Sequence, residues 1–376
     1  MRLELEVLEL RTRHAFHIAR ARGAAVRRSV WARLVDEDGT EGWGEAPTST
    51  PYYGETADTA LAVLPVLWEA AEAALAEDGA AAGLEEALAE GAEAAGLEGA
   101  AGEGTRLIPL PPLERLEAAM ADAIGYNAAA RVALSAALHD LVGKRLGQPL
   151  WRLWGLDPAA APASSFTIGI DAPEVMRERV REASGYPVLK VKIGTARDEE
   201  ILGIIREEAP AARLLVDANT AWSARTAVAR LPMLEAHGVE ILEQPLHPQD
   251  LDGWRELRRH ARIPIVADES CRTSRDVARL AGHVDGINIK LAKCGSLREA
   301  VRMAHTARAH GMLVMLGCMV ESTLGIAAGV QLAPLVDYAD LDGAALLAED
   351  PFEGPGLEPG GRLRFNTEPG LGVHRR

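Results

Sequence analysis

Three carboxylates stand just past three apolar runs: Asp217 after Leu214-Leu215-Val216, Glu243 after Ile241-Leu242, and Asp268 after Ile265-Val266-Ala267. Lysines flank them in the same register, Lys190-Val191-Lys192 upstream and Lys290 after Ile287-Asn288-Ile289 downstream. From Lys192 the steps to Asp217, Glu243, Asp268 and Lys290 are 25, 26, 25 and 22 residues. One structural unit therefore recurs and delivers a polar group at the same place each time. One such Asp alone would be read as a helix cap. Three in register supply hard oxygen ligands and no soft ones, which suits Mg²⁺ or Mn²⁺.

Lys190 and Lys192 are two residues apart on one strand and so share a face. An unperturbed lysine has a pKa of about 10.4, and using it as a base near neutrality costs about 4 kcal/mol. A cationic neighbour and a metal both disfavour the ammonium and lower that cost. Lys190 is accordingly read as the residue that tunes Lys192. Lys290 falls on the far side of the three carboxylates, so each lysine can reach one face of a carbon beside a metal-bound carboxylate. One removes a proton and the other returns it. Lys293 lies past the strand end and is read as a helix-start or solvent residue.

The repeating unit has the length of a buried parallel strand plus a return helix, and its runs are short, apolar and β-branched. Phe166-Thr167-Ile168 and Val188-Leu189-Lys190 extend the register backwards; Leu313-Val314-Met315 and Tyr338 to Leu341 extend it forwards. Helical patterns such as Ser223 to Ala236 and Ser274 to Leu280 lie between the runs. Seven strands are legible, and one further strand would close a (β/α) barrel. Polar groups at every strand end favour that barrel over an open doubly wound sheet, which gathers its ligand groups at one switch point.

Upstream, Met1 to Asp36 reads as antiparallel strands, with a turn at Asp38-Gly39 before Gly42-Trp43-Gly44-Glu45. Helical patterns follow from Glu55 to Leu67 and from Ala128 to Leu146. The N-terminal region is expected to be a separate α+β domain. Ala70 to Gly104 is almost all Ala, Glu, Gly and Leu, and is read as a partly ordered surface insertion.

The net charge of −15 and the lack of a basic stripe argue against a nucleic-acid partner. No run of eighteen apolar residues and no signal segment appear, so no membrane partner is expected and the protein is read as cytoplasmic. Cys271, Cys294 and Cys318 are odd in number and read as reduced, buried thiols. A homo-oligomer is compatible with all of this.

The Lys-x-Lys pair, Asp217-Ala218-Asn219, Glu243-Gln244-Pro245, Ala267-Asp268-Glu269-Ser270 and Asn288-Ile289-Lys290 together resemble the muconate-lactonizing subgroup of the enolase superfamily. Trp43-Gly44-Glu45-Ala46 resembles its capping domain. The resemblance implies an α/β fold, a modified TIM-type (β/α) barrel with an N-terminal α+β cap. It places the cap at 1–125, the barrel at 126–354, and a segment returning to the cap at 355–376. Asp340-Leu341-Asp342 resembles the Asp-x-Asp of dipeptide epimerases, suited to a peptide α-ammonium. Thr167 and Met319 lie in stretches that also resemble that group, Phe166 to Asp171 and Gly317 to Ser322. Tyr53-Gly54-Glu55-Thr56 resembles its lid region. Arg20, with Arg22, Arg27 and Arg28, crowds a loop of the cap and is a candidate partner for an acidic side chain.

The implied activity is Mg²⁺-dependent epimerisation of a dipeptide at its C-terminal residue, Ala-Glu among the candidates, by proton transfer between Lys192 and Lys290. The rivals are an o-succinylbenzoate synthase, an N-succinylamino acid racemase or a cycloisomerase, none of which needs an anionic pair for an ammonium. Outside enzymes, the rival is a silent metal-binding scaffold on the same fold.

Overall fold

The structure, a computed structural model, describes residues 1–14, 17–18, 21–22, 25–49, 53–78 and 110–376. Arg20 and residues 79–104 of the Ala/Glu/Gly-rich stretch lie outside the described residues.

The first three long strands, β1 (Arg2–Arg11), β2 (Val26–Val35) and β3 (Glu41–Ala46), form an antiparallel sheet in that order. The expected turn joins the last two, with Thr40 N–H donating to the Asp38 carboxylate at 2.9 Å. Helices α1 (Ala57–Asp78), α2 (Leu113–Ala123) and α3 (Ala128–Leu146) pack on it. Gly44 permits the closest approach, since a Cβ there would lie 1.9 Å from the carbonyl oxygen of Ala133 in α3.

Helix α1 runs past Leu67, so the Ala-rich stretch begins as ordered helix at Ala70 and not as a surface insertion. The reason is its apolar stripe, Ala60, Leu64, Leu67 and Ala71, which helical spacing sets on one buried face. Ala57–Ala76 is long and apolar enough to cross a membrane by length and composition. Here that stripe packs into the core beneath the sheet.

Eight parallel strands follow, not seven: β4 (Phe166–Ile168), β5 (Val188–Lys192), β6 (Arg213–Asp217), β7 (Val239–Glu243), β8 (Ile265–Ala267), β9 (Gly286–Lys290), β10 (Leu313–Gly317) and β11 (Tyr338–Asp340). All eight coincide with runs named from the sequence, so no unseen strand was needed to close the barrel. They pair in chain order, and a parallel bridge between Ser164 and Ala339 joins the two ends of the ladder.

Side-chain alternation then decides what fills the interior. Val188, Leu215, Ile241, Val266 and Met315 form a small apolar cluster across the barrel. Two residues further along the same strands come Lys190, Asp217, Glu243, Asp268 and Gly317. Their shared parity turns these positions inward above the plug. Around this lies the main core between strands and helices, including Leu189, Val216, Leu242 and Ile289.

The end of the chain returns to the first sheet. Phe352 packs edge-on against Trp31 at 5.4 Å, and Arg375 pairs with Glu6 at 2.6 Å. A second tie is buried Glu45 of β3, which accepts from Ser29 Oγ at 2.8 Å and from the N–H groups of Ser322 and Gly325 at 3.1 and 3.2 Å. It also receives the hydroxyl of Ser322. Glu45→Ala would strand these donors, so it should cost about 2–3 kcal/mol. A lowered urea unfolding midpoint checks this, and an unchanged midpoint would contradict the tie.

Candidate active site

Asp217 and Glu243 end adjacent strands and are register partners, and Asp268 follows the next strand directly. Their nearest carboxylate oxygens all lie within 4.8 Å of one another, and each residue is at most 1% exposed. Burial tends to raise all three. Glu243 reaches about 7 through burial and the neighbouring Asp217 charge. In Asp217 burial is outweighed by Lys192 and Lys190, and in Asp268 by Lys290 and Lys293, so both carboxyls are held low.

The lysines stand on opposite sides of this trio. Lys192 Nζ donates to Asp217 at 2.6 Å, and Lys290 Nζ to Asp268 at 2.8 Å. Lys190 Nζ lies 2.7 Å from both Glu243 and Asp340 and 3.6 Å from Asp217. Burial favours the neutral amines of Lys190 and Lys290, but the carboxylates outweigh it and hold both as ammonium ions. Gly317 leaves room for Lys290, since a Cβ there would sit 3.1 Å from its Cε.

Lys293 is neither a solvent residue nor a simple helix start. Its ammonium is buried against the Asp268 carboxylate at 2.6 Å and the Asn288 carbonyl at 2.7 Å, which fixes Asp268 from behind. The short helix Leu291–Cys294 folds it back under the strand ends.

Asp340 ends β11, and Asp342 starts the 3₁₀ turn Gly343–Leu346. Thr167 joins them, its N–H on Asp342 at 2.6 Å and its hydroxyl on Asp340 at 3.3 Å. Asp340 also accepts from Ser165 at 2.7 Å. Lys190 outweighs burial in Asp340 and holds it low; burial and the Asp340 charge push Asp342 up to about 7. Tyr53 lies near enough to Asp268 that burial first, and then that charge, raise its phenol. The Arg272 guanidinium covers its ring at 5.1 Å. Met319 is partly buried, and its N–H donates to Glu321, whose carboxyl is raised to about 8 by burial and by Glu45.

Several supporting residues stand in the quoted motifs but were given no role from the sequence. Asn288 donates to Glu243 at 2.8 Å; its place two residues before Lys290 on one strand was the available signal. Gln244 accepts from the N–H groups of Asp268 and Ser270 at 2.8 and 3.2 Å. Asn219, Thr220 and Gln244 take left-handed backbone (φ 43°, 64° and 36°) within three residues after two of the carboxylates. Such strain gathers at functional sites; Asn tolerates this conformation, so Asn219 carried a signal, whereas Thr220 and Gln244 carried none. Glu269, raised to about 8 by burial and the Asp268 charge, adds a further carboxyl at the rim.

The donor set suits a hard divalent cation, because three carboxylates converge within 4.8 Å and two of their buried oxygens, Glu243 Oε2 and Asp268 Oδ1, face positive charge, the ammoniums of Lys190 and Lys293 at 2.7 and 2.6 Å. The ammoniums beside these oxygens hold the place of positive charge.

A (β/α) barrel under an α+β cap, with carboxylates and lysines on its strand ends, defines a class, and the comparisons agree. Residues 174–375 match the family described as Enolase C-terminal domain-like, and the chain belongs to it. An L-Ala-D/L-amino acid epimerase of a Maribacter species is 43% identical over 64% of this chain and 71% of its own length. A hydrophobic dipeptide epimerase of a Flavobacteria bacterium is 34% identical over 91% and 90%. The crystal structure of a dipeptide epimerase from Cytophaga hutchinsonii, complexed with Mg and D-Ala-L-Val, superposes with a TM-score of 0.84. It is 26% identical and covers 100% of this chain and 95% of that one.

Titration calorimetry should find one Mg²⁺ site per chain, weakened in Glu243→Gln. With Glu243 near 7, a proton must leave before its carboxylate can bind the ion. Affinity should therefore fall about tenfold between pH 8 and pH 6. Equal affinity at both pH values would contradict the assignment.

Proposed function

We propose that the protein is a Mg²⁺-dependent dipeptide epimerase that inverts the α-carbon of the C-terminal residue. The observation that carries this is the placement of two buried lysines on opposite sides of the carboxylate trio. Asp217, Glu243 and Asp268 would hold the ion. It would supply positive charge to the substrate carboxylate and to the electron pair left when the adjacent C–H bond breaks.

The chain's own groups do the rest. Lys192 and Lys290 are 7% and 8% exposed, so little water competes for the proton between them. One lysine, as the neutral amine, takes the α-proton and becomes an ammonium. The other, as the ammonium, gives its proton to the opposite face and becomes an amine. The centre is inverted and no other bond changes. Lys190 offsets the negative charge of Glu243 and Asp340. Asp342, helped by Asp340, would take the peptide α-ammonium, whose charge stabilises two adjacent carboxylates. Thr167 holds both carboxylates in place, and Tyr53 and Met319 lie on loops beside the site.

This reading keeps the division into a cap at 1–125, a barrel at 126–354 and a returning segment at 355–376. The three free cysteines support a reducing, cytoplasmic location. A succinylated substrate is disfavoured because it brings no cation to buried Asp342, while Asp340 already shares Lys190 with Glu243.

A mass-spectrometric screen of pooled L,L-dipeptides in D₂O should show deuterium gained at the C-terminal α-carbon with Mg²⁺ present and lost with chelator. Full exchange in excess chelator, or exchange only on N-succinylamino acids, would contradict the reading. Asp342→Asn should lower kcat/KM on free-amine dipeptides about a hundredfold, the loss expected when a buried ammonium is deprived of its partner. Equal turnover of N-acetylated and free dipeptides by the wild type would remove Asp342 from that role.

A further inference from the structure

A cavity of about 270 Å³ lies beside Asp342, between the end of β4, the Pro173–Glu182 helix and Thr12–His14. Thr167 lines it and is the residue whose N–H holds Asp342 and whose hydroxyl holds Asp340. One wall is the ring of Phe166 stacked on Tyr186, with centroids 4.6 Å apart and planes at 27°. Tyr186 also lies close enough to Asp342 that this charge adds to burial in raising its phenol. Arg179 lines the cavity as well. Its Nη1 is buried without a hydrogen bond among the described residues, 3.6 Å from Glu182.

We propose that this cavity receives the side chain of the substrate's N-terminal residue and favours an apolar stem ending in a carbonyl group, glutamine above all. The inference rests on the dipeptide reading. With the α-ammonium on Asp342, the first Cβ is two bonds from that nitrogen, about 2.5 Å away. The side chain therefore starts beside Thr167, at the cavity. Its methylenes meet the Phe166 and Tyr186 rings, and its end meets the unmatched Arg179 donor, which a buried acceptor would satisfy. A lysine head would face Arg13 and Arg179, and a carboxylate would share the lining with Glu182 and Asp171. Alanine would leave the cavity unfilled.

The test compares kcat/KM for dipeptides with one common second residue and Ala, Leu, Gln or Lys first. Gln should exceed Ala and Lys by at least about tenfold, the scale of discrimination one pocket contact provides. Arg179→Met should lower the Gln-to-Leu ratio, and Ala345→Trp, which fills the cavity, should lower both Gln-to-Ala and Leu-to-Ala ratios. Because each ratio is measured within one preparation, partial loss of folded protein cancels. Wild-type turnover of dipeptides with no preference at the first residue, or ratios unmoved by both substitutions, would overturn this subsite. If the wild type epimerised no dipeptide, the underlying reading would fail and this subsite with it.

Discussion

Charge balance in a nearly water-free barrel mouth is the constraint on which the rest depends. Asp217, Glu243, Asp268 and Asp340 are buried together, and burial of any one ionised carboxylate without a partner is prohibitively costly. Lys190, Lys192, Lys290 and Lys293 face them at 2.6 to 2.8 Å. Where a second carboxylate crowds a buried acid the balance is strained: the Asp217 charge helps push Glu243, and the Asp340 charge helps push Asp342, up to about 7. The same matching raises Lys190 and Lys290 away from the basic form. A lysine base at this site therefore needs another cation to share its carboxylate, which links proton transfer to the metal the donor set fits.

The architecture serves this balance. Strand pairing sets Asp217 beside Glu243 and Lys192 beside Asp217, so the lysine-carboxylate contact is a consequence of register. The apolar plug two residues below closes the barrel floor. Behind the charged layer, Gln244, Asn288 and Lys293 bind carboxylate oxygens or loop N–H and carbonyl groups, which restrains side chains that would otherwise have several rotamers. Glu45 ties the first sheet to the loop after β10, and Tyr53 brings that N-terminal region to the Lys290 side of the mouth.

Much of this was legible because the barrel repeats. The period of about 25 residues located the strands, and alternation along them made Lys190 and Lys192 share a face. All eight runs were named, Phe166–Ile168 included, and only their count fell one short. Lys293, by contrast, was misread. Its position past the strand suggests solvent, and only the short helix that turns its side chain back reveals the contact with Asp268. Gln244 holds the Asp268 and Ser270 N–H groups from a left-handed backbone, a conformation that a glutamine does not announce. The length of α1 was obscured because Ala and Glu read equally well as helix or as low-complexity sequence until burial is known.

The account's central claim is that Lys192 and Lys290 address opposite faces of one carbon, and stereospecific isotope exchange tests it most directly. Each epimer of an accepted dipeptide is incubated separately in D₂O with Lys192→Ala or Lys290→Ala. Each substitution should slow epimerisation by roughly 10²–10⁴-fold, the range for loss of an acid-base group. Each variant should still exchange the α-proton of one epimer, and the two variants should prefer opposite epimers. Exchange of both epimers at equal rates by either variant would show that one base serves both faces, and would contradict the account.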